Sequence, residues 1–597
     1  IHICNKASHQ SRKKNLKKHN WDMPIWQKKG PDAPETMTTY DPFTAIPFSG
    51  KYSTTEEYTV YDVFTNFQKT FLNSHQISIV AGFNQEEYKY DYFGGWRDKL
   101  ISNTLPSFQL ATGEKSLEEK LESWALRGAF YRLNYTFDNK YMVETNGRYD
   151  GSSRFPKNDR FGFFPSVSAG WVISEESFFE PLRKMVDFMK VRGSYGALGN
   201  QNVGAYEYIA NMPASQEKVL LDGEIPVGVG RPGLVASSLT WEKVKTINGG
   251  IDLTLLSNRL SASFDVYRRD TEGMLAKGET LPNVLGTKVP KINAANLRTN
   301  GWEMSLAWRD NFTLAEKPFN YNIKFILADN HSVITKYANP TRSLTNYDAY
   351  ELSSREYYEG ETIGEIWGLT TLGFFQNQEE IDNHADQTTV MSYPNDRVTE
   401  PGDLKFADLN GDGFVNSGKW TVDDPGDYKV IGNTTPRYNF SFDLSADWNN
   451  FDVRAFFQGI GKRDWYPEAN NHYFWGLYAM PWTNVFKDHM DHWTPENRNA
   501  KFPRPKSYIA WNQKELGAPQ TKYLQNAAYC RLKNLTLGYT IPKPLLQKAK
   551  IDNLRIYFSG ENLFTIKHLP RHIDPEGLSG SVYPYLRTFS FGINLTL

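Results

Sequence analysis

The chain has 597 residues, a net charge of −1 and an aromatic content of 15%, including 34 Tyr and 16 Trp. So even a charge balance argues against nucleic acid as the main partner, because phosphate binding needs a basic field. Two distant cysteines, Cys4 and Cys530, provide neither a disulfide framework nor a zinc spacing.

Residues 1–50 open on a polar, basic stretch, SRKKNLKKHNW (Ser11–Trp21), which reads as a solvated loop. The chain starts at Ile1 without a signal peptide, so the expectation is a segment whose N-terminal portion lies elsewhere. From residue 51 to 597 a two-residue rhythm takes over. Ala129, Tyr131, Leu133, Tyr135 and Phe137 alternate with Arg132, Asn134 and Thr136. After a turn at Asp138-Asn139, Tyr141, Val143 and Tyr149 alternate with Glu144, Asn146, Arg148 and Asp150. Successive side chains on a strand point to opposite faces, so this is a hairpin with one apolar and one polar side.

Ile247, Ile251, Leu253 and Leu255 repeat the pattern against Asn248, Asp252 and Thr254, with a turn near Ser257-Asn258. The return strand sets Leu260, Ala262, Phe264 and Val266 against Ser261, Ser263 and Asp265. A third copy places Tyr438, Phe440, Phe442, Leu444 and Trp448 opposite Asn439, Ser441, Asp443 and Asp447, turning at Asn449-Asn450. At the end of the chain, Phe589, Phe591, Ile593, Leu595 and Leu597 form one row of a final strand. That strand is expected to pair with a neighbour and close a cylinder, leaving no free edge.

No run approaches the ~18 apolar residues of a membrane-spanning helix. Mean hydropathy is −0.58, but a transmembrane barrel keeps its average equally low, since only alternate residues meet lipid. A soluble sandwich also alternates, on strands of about 5–6 residues; these run to about ten or more, as a tilted membrane strand requires. Short turns contrast with long segments at 199–239, 273–295, 376–435 and 461–522, the asymmetry of outer-membrane barrels. The expected fold is therefore all-β, a transmembrane antiparallel β-barrel to which this chain supplies roughly 14–16 strands.

Long ordered stretches carry a resemblance: RYDGSSRFPKNDRFGFFPSVSAGWVISEESFF (148–179), SYGALGNQNVG (194–204), ETIGEIWGLTTLGFFQNQEEID (361–382), DLKFADLNGDGFVN (403–416), HWTPENRNAKFPRP (492–505), YCRLKNLTLGYTIP (529–542) and LRIYFSGENLF (554–564). With them the chain resembles the SusC/RagA family of TonB-dependent outer-membrane transporters of Bacteroidetes, from about residue 75 onward. The resemblance implies a 22-stranded barrel with an N-terminal plug, energised by the TonB–ExbB–ExbD complex. It further implies a SusD-like surface lipoprotein as lid, a glycan or peptide solute, and a dimer of transporter–lid pairs. Nothing in this chain looks like the plug, and Leu597 stands where an aromatic residue usually ends the assembly signal.

Asp408, Asn410 and Asp412, followed by Gly413, place oxygen ligands at positions one, three and five of a Ca²⁺-type loop. Phe414 would contribute its carbonyl and Asn416 its side chain. Lys419 occupies the place of the closing Glu, which shifts that role to Asp423 or Asp424. The alternative is an Asx turn with no cation. His489 and His492, flanked by Asp488 and Asp491, lack a third ligand of suitable spacing and read as structural. The aromatic stretch 465–482 offers Trp465, Tyr473, Phe474, Trp475 and Trp482 as stacking surfaces for a sugar; Tyr466 and Tyr478 lie among them. The same rings could instead pack the loop.

The polar rows (Arg132, Arg148, Asp150, Asp252, Asp443) are expected to face a plug or water rather than solute. GxSxG, HExxH and the complete P-loop pattern GxxxxGK[ST] are all absent, and an enzyme is not expected. The function expected is nutrient import across the outer membrane. A passive porin and a surface glycan-binding β-rich protein are the alternatives.

Overall fold

The computed structural model describes residues 2–20, 23–27, 36–40, 47–102, 104–236, 238–278, 289–344, 356–391, 398–469, 471–511, 514–547, 550–578 and 585–596. Sixteen strands form one antiparallel sheet. The first eight are β1 (His2–Asn20), β2 (Phe48–Phe71), β3 (His75–Asp98), β4 (Lys115–Phe137), β5 (Tyr141–Ser152), β6 (Phe161–Val172), β7 (Val186–Asn200) and β8 (Glu242–Leu255). The rest are β9 (Leu260–Lys277), β10 (Lys291–Leu314), β11 (Lys317–Lys336), β12 (Arg437–Trp448), β13 (Phe451–Lys462), β14 (Tyr529–Thr540), β15 (Asn553–Lys567) and β16 (Thr588–Thr596). Each pairs with the next in sequence, an up-and-down meander.

The connections on the two rims differ in length, although 153–160 on the long rim is shorter than 173–185 on the other. On one rim they are 72–74, 138–140, 173–185, 256–259, 315–316, 449–450 and 541–552. On the other they include 99–114, 201–241, 278–290, 337–436, 463–528 and 568–587. Two of the short turns are two-residue loops with left-handed φ at both positions, Ala315–Glu316 (48°, 62°) and Asn449–Asn450 (46°, 71°). That backbone matches the twist of the strands it joins. The four predicted long segments all fall on the long rim, though 376–435 widens to 337–436 and 273–295 narrows to 278–290 because β9 and β10 extend into it.

Cross-strand register stacks the apolar rows side by side. Phe591 of β16 faces Phe558 of β15, Phe558 faces Leu537 of β14, and Leu537 faces Val453 of β13. These four side chains are exposed, from 37% for Val453 to 70% for Phe591. Among the described residues no second sheet covers them.

The apolar band has a sharp upper limit. From the short-turn rim, the outward row of β3 reads Ile77, Ile79, Ala81 and Phe83, then Gln85, Glu87, Lys89 and Asp91. On β2 the row changes after Val63 and Tyr61 to Thr59 and Glu57; on β4 it changes after Ala129 to Arg127. Roughly ten residues per strand are therefore suited to lipid, the number a tilted strand needs to cross. The remainder of each long strand projects beyond it on the long-loop side.

This limit explains a correction. The basic stretch read as a loop is strand: Ser11 through Lys18 lie within β1 and pair with Glu57 back to Gly50 of β2. Lys13 and Lys17 share the outward row of Ser11, which stands opposite Glu57, and lie above the apolar band, while Arg12 stands opposite Glu56 on the polar face. The final strand also departs from expectation. β16 pairs with β15 alone, and among the described residues β1 and β16 are the two edges of the sheet. Leu597, the last of the predicted apolar row, lies outside the described residues.

Candidate functional site

Two surfaces bear on function: the polar face of the sheet and the body built by the long connections. On the polar face, charged residues pair with one another, across neighbouring strands or, for Arg148 and Asp150, along one strand. Arg192 of β7 bridges Asp252 of β8 and Asp265 of β9 at 3.0 and 2.6 Å. Arg132 meets Glu144 at 2.7 Å, Arg148 meets Asp150 at 2.9 Å and Arg454 meets Asp443 at 2.7 Å. All five residues named from the sequence for this face thus have ionic partners in the wall itself. Charges on adjacent strands of one face lie within reach of each other, and paired they leave the wall polar and nearly neutral.

The described residues of 337–436, 463–528 and 568–587 fold together around a core of their own. Leu369, Phe374, Phe406, Trp475, Phe502 and Tyr523 are among its buried members. Trp475 packs edge-on against Phe474 and Tyr523, with ring centres 4.7 and 5.3 Å apart. The polar tips of the buried aromatics are satisfied within 463–528: Trp475 Nε1 donates to the Glu468 carbonyl at 3.0 Å, Tyr478 Oη to Pro503 at 2.8 Å and Tyr523 Oη to Lys501 at 2.9 Å. Burial raises the phenol pKa of Tyr478 and Tyr523, and pushes that of Tyr428 up to about 12. They stay neutral donors.

This packing redistributes the predicted sugar-stacking set. Trp465, Phe474 and Trp475 are buried, Trp475 completely, and serve as core. Tyr478 is buried as well. Only Tyr473 and Trp482 of the candidates face solvent, Trp482 at 72% exposure. Trp482 lies edge-on to Tyr508, 6.0 Å between ring centres, and exposed Trp511 is a third ring in the same stretch. A buried ion pair joins two of the loop segments: Lys506 Nζ binds Asp403, both almost fully buried, with Glu400 at 3.7 Å. Sequence spacing gave no sign of a pair so far apart in the chain.

The Asp408–Asn416 turn uses its oxygens on its own backbone. Asp408 accepts from Gly411 N at 2.7 Å and from Gly413 N at 2.9 Å; Asp412 accepts from Phe414 N at 2.8 Å. Asn410 accepts from Asp412 N and Asn416 from Gly418 N. Asp423 is held by Arg342 at 2.6 Å and Asp424 by Lys419 at 3.2 Å, so neither closes the loop. Asp427, missed in the sequence, does so instead. Fully buried, it accepts from Leu409 N at 2.6 Å and Asn416 N at 2.7 Å and ties the two ends of the turn together. Among the described residues no group of three or more His, Cys, Asp or Glu converges as a metal site. The donors present lack the bidentate carboxylate that completes such a Ca²⁺ loop.

His489 is structural. Its Nδ1 accepts from Phe486 N at 3.1 Å, which leaves Nε2–H to donate to the Phe474 carbonyl at 2.9 Å. Burial lowers its pKa. His492 Nδ1 lies 3.2 Å from the His489 carbonyl, and the two rings do not form a ligand pair.

The family described as TonB dependent receptor-like, beta-barrel matches residues 30–563. TonB-dependent receptor P3 of Formosa agariphila is 29% identical over 559 residues, covering 90% of this chain and 52% of that protein. TonB-dependent receptor SusC of Bacteroides thetaiotaomicron is 26% identical over 557 residues, covering 90% and 50%. A solved structure of the RagAB peptide transporter aligns with a TM-score of 0.77 at 21% identity, over 99% of this chain and 59% of its own. The chain spans about half the length of the curated relatives it matches. It belongs to the TonB-dependent receptor β-barrel family, a non-enzymatic one, and its place is the outer membrane.

Proposed function

We propose that this chain is the barrel portion of an active importer that carries an oligosaccharide or a peptide across the outer membrane. The observation that carries this reading is the contrast between the two ends of the wall. One rim has connections of 2 to 13 residues, while the other bears a loop body with its own buried core. Such a body is a stable platform for a surface lipoprotein lid of the SusD type, and the paired charges of the polar face offer a wet, low-affinity path. A plug domain and the TonB–ExbB–ExbD complex would supply the gate and the energy, and transporter–lid pairs would associate as dimers.

In this reading Tyr473 and Trp482 are the candidate residues for solute contact, because they face solvent. The Asp408–Asn416 turn does structural work, and a Ca²⁺ ion bound there would stiffen the loop rather than take part in transport. RagAB is described as a peptide transporter, which keeps peptide alongside oligosaccharide as the solute class.

The test is uptake of labelled oligosaccharides and peptides by cells producing the full-length protein, with and without an uncoupler. Accumulation that collapses when the proton gradient is removed is the expected result. Equilibration that is indifferent to the uncoupler would identify a passive porin instead. Recovery of the protein from the soluble fraction without detergent would identify a secreted glycan-binding protein.

A further inference from the structure

Between the loop segments lies a polar recess of about 370 Å³. Its lining includes Lys405, Arg498 and Lys522, with Glu380 as its one carboxylate. Glu380 is committed to Lys405 at 3.4 Å. Among the described residues Lys522 Nζ hydrogen-bonds one carbonyl, Ala500 O at 3.2 Å, and rests over the face of Phe374, 4.5 Å from the ring centre. Arg498 donates Nε to the Pro495 carbonyl at 3.2 Å. Asp491, whose charge also reaches Lys522, accepts from Asn497 at 3.0 Å. The recess therefore presents two cations held by carbonyls and a ring face, with no carboxylate bound to either among the described residues.

From this geometry we infer that the recess binds an oxyanion, a carboxylate or sulfate carried by the imported solute, with Lys522 and Arg498 as its ligands. This rests on reading the long-loop rim as the solute entrance. Carbonyls and a ring face orient the two cations without neutralising them, so an arriving anion would make new charge-assisted hydrogen bonds rather than displace existing ion pairs. Partial burial lowers the pKa of Lys522; an anion at 3 Å would oppose that effect, as expected of a site completed by its ligand.

Isothermal titration of the full-length protein tests this with trigalacturonate, maltotriose and inorganic sulfate. Trigalacturonate should bind, with sulfate competing. The double variant R498Q/K522Q should weaken trigalacturonate binding about a hundredfold, roughly tenfold for each of the two charge-assisted hydrogen bonds lost. Lys522→Arg, which keeps the charge, should retain affinity and thereby separate loss of the ligand from loss of the fold. Equal affinity of wild type and double variant for trigalacturonate overturns the proposal. So does binding of maltotriose as tight as that of trigalacturonate, or binding of sulfate alone. Uncoupler-sensitive uptake of a neutral solute by the double variant would show that transport stands even where the anion site fails.

Discussion

The wall and the loop body are built from the same residue types arranged inside out relative to each other. In the wall, Phe558, Phe591 and Val453 are exposed while Arg192, Asp252 and Asp265 pair on the opposite face. In the loop body, Trp475, Phe502 and Tyr523 are buried and the charged side chains lie mostly outside. The difference teaches that alternation alone does not say which side is the core. The solvent decides: lipid accepts the oily face of a strand, whereas water forces the loops to hide theirs.

Substitutions that exchange the two environments should sharpen this contrast, the largest effects coming first. Trp475→Ala should cost the loop body about 3–5 kcal/mol, since it empties a fully buried aromatic site. Limited proteolysis should then cleave 463–528 while the wall keeps its heat-modifiable gel mobility. A collapse of both together would show that the loops are not a separate core. Lys506→Met should have a comparable effect, about 3–5 kcal/mol, by stranding the buried Asp403 carboxylate. The double change Lys506→Met with Asp403→Leu should recover most of that loss in the same assay.

On the wall the sign reverses. Phe558→Lys should destabilise by about 2–4 kcal/mol if that row meets the bilayer interior, and far less if it meets water. Folding into phospholipid vesicles, followed by urea titration, measures it. Asp443→Asn, on the opposite face, should fall well below that value, because its ion pair with Arg454 is partly exposed and such pairs contribute little.

Acidification should also separate the two regions. His489 is buried as a neutral imidazole, and its pKa in the folded protein lies below the ordinary value. His384, bonded to the Phe406 carbonyl, is shifted in the same direction. The unfolded loops therefore take up protons first as pH falls through about 6.5, so stability present above that pH is lost below it. Proteolytic susceptibility of 463–528 should rise as pH falls below about 6.5. His489→Gln should flatten that rise, and an unchanged slope would assign it elsewhere.

How much of this was legible in the sequence follows from how local each feature is. The hairpins were legible because alternation and turn chemistry sit within about 20 residues, and Asn449-Asn450 sets both strand ends. The basic β1 was not, since only its pairing with another strand sets Lys13 and Lys17 above the lipid band and Arg12 opposite Glu56 on the polar face. The buried ring set was not, because Trp475 is enclosed by Tyr523, which only the folded loop brings near. Asp427 was hidden for the same reason: its partners Leu409 and Asn416 are backbone amides, and amides leave no trace in residue type.

The smallest stability effect belongs to the residue with the most direct bearing on solute. Trp482 is largely exposed and touches Tyr508 only edge-on, so Trp482→Ala should change the stability of the loop body by no more than about 0.5 kcal/mol. Its fate in binding is a separate matter. A solvent-facing indole that stacks on a sugar or a peptide side chain contributes area no neighbour replaces, and its removal should weaken solute affinity without altering proteolysis. Trp475→Ala should do the opposite, loosening the loops first and affinity only in consequence. If Trp482→Ala leaves affinity untouched and instead weakens retention of the lipoprotein lid, the exposed ring serves the partner and the solute contact must be sought deeper in the bore.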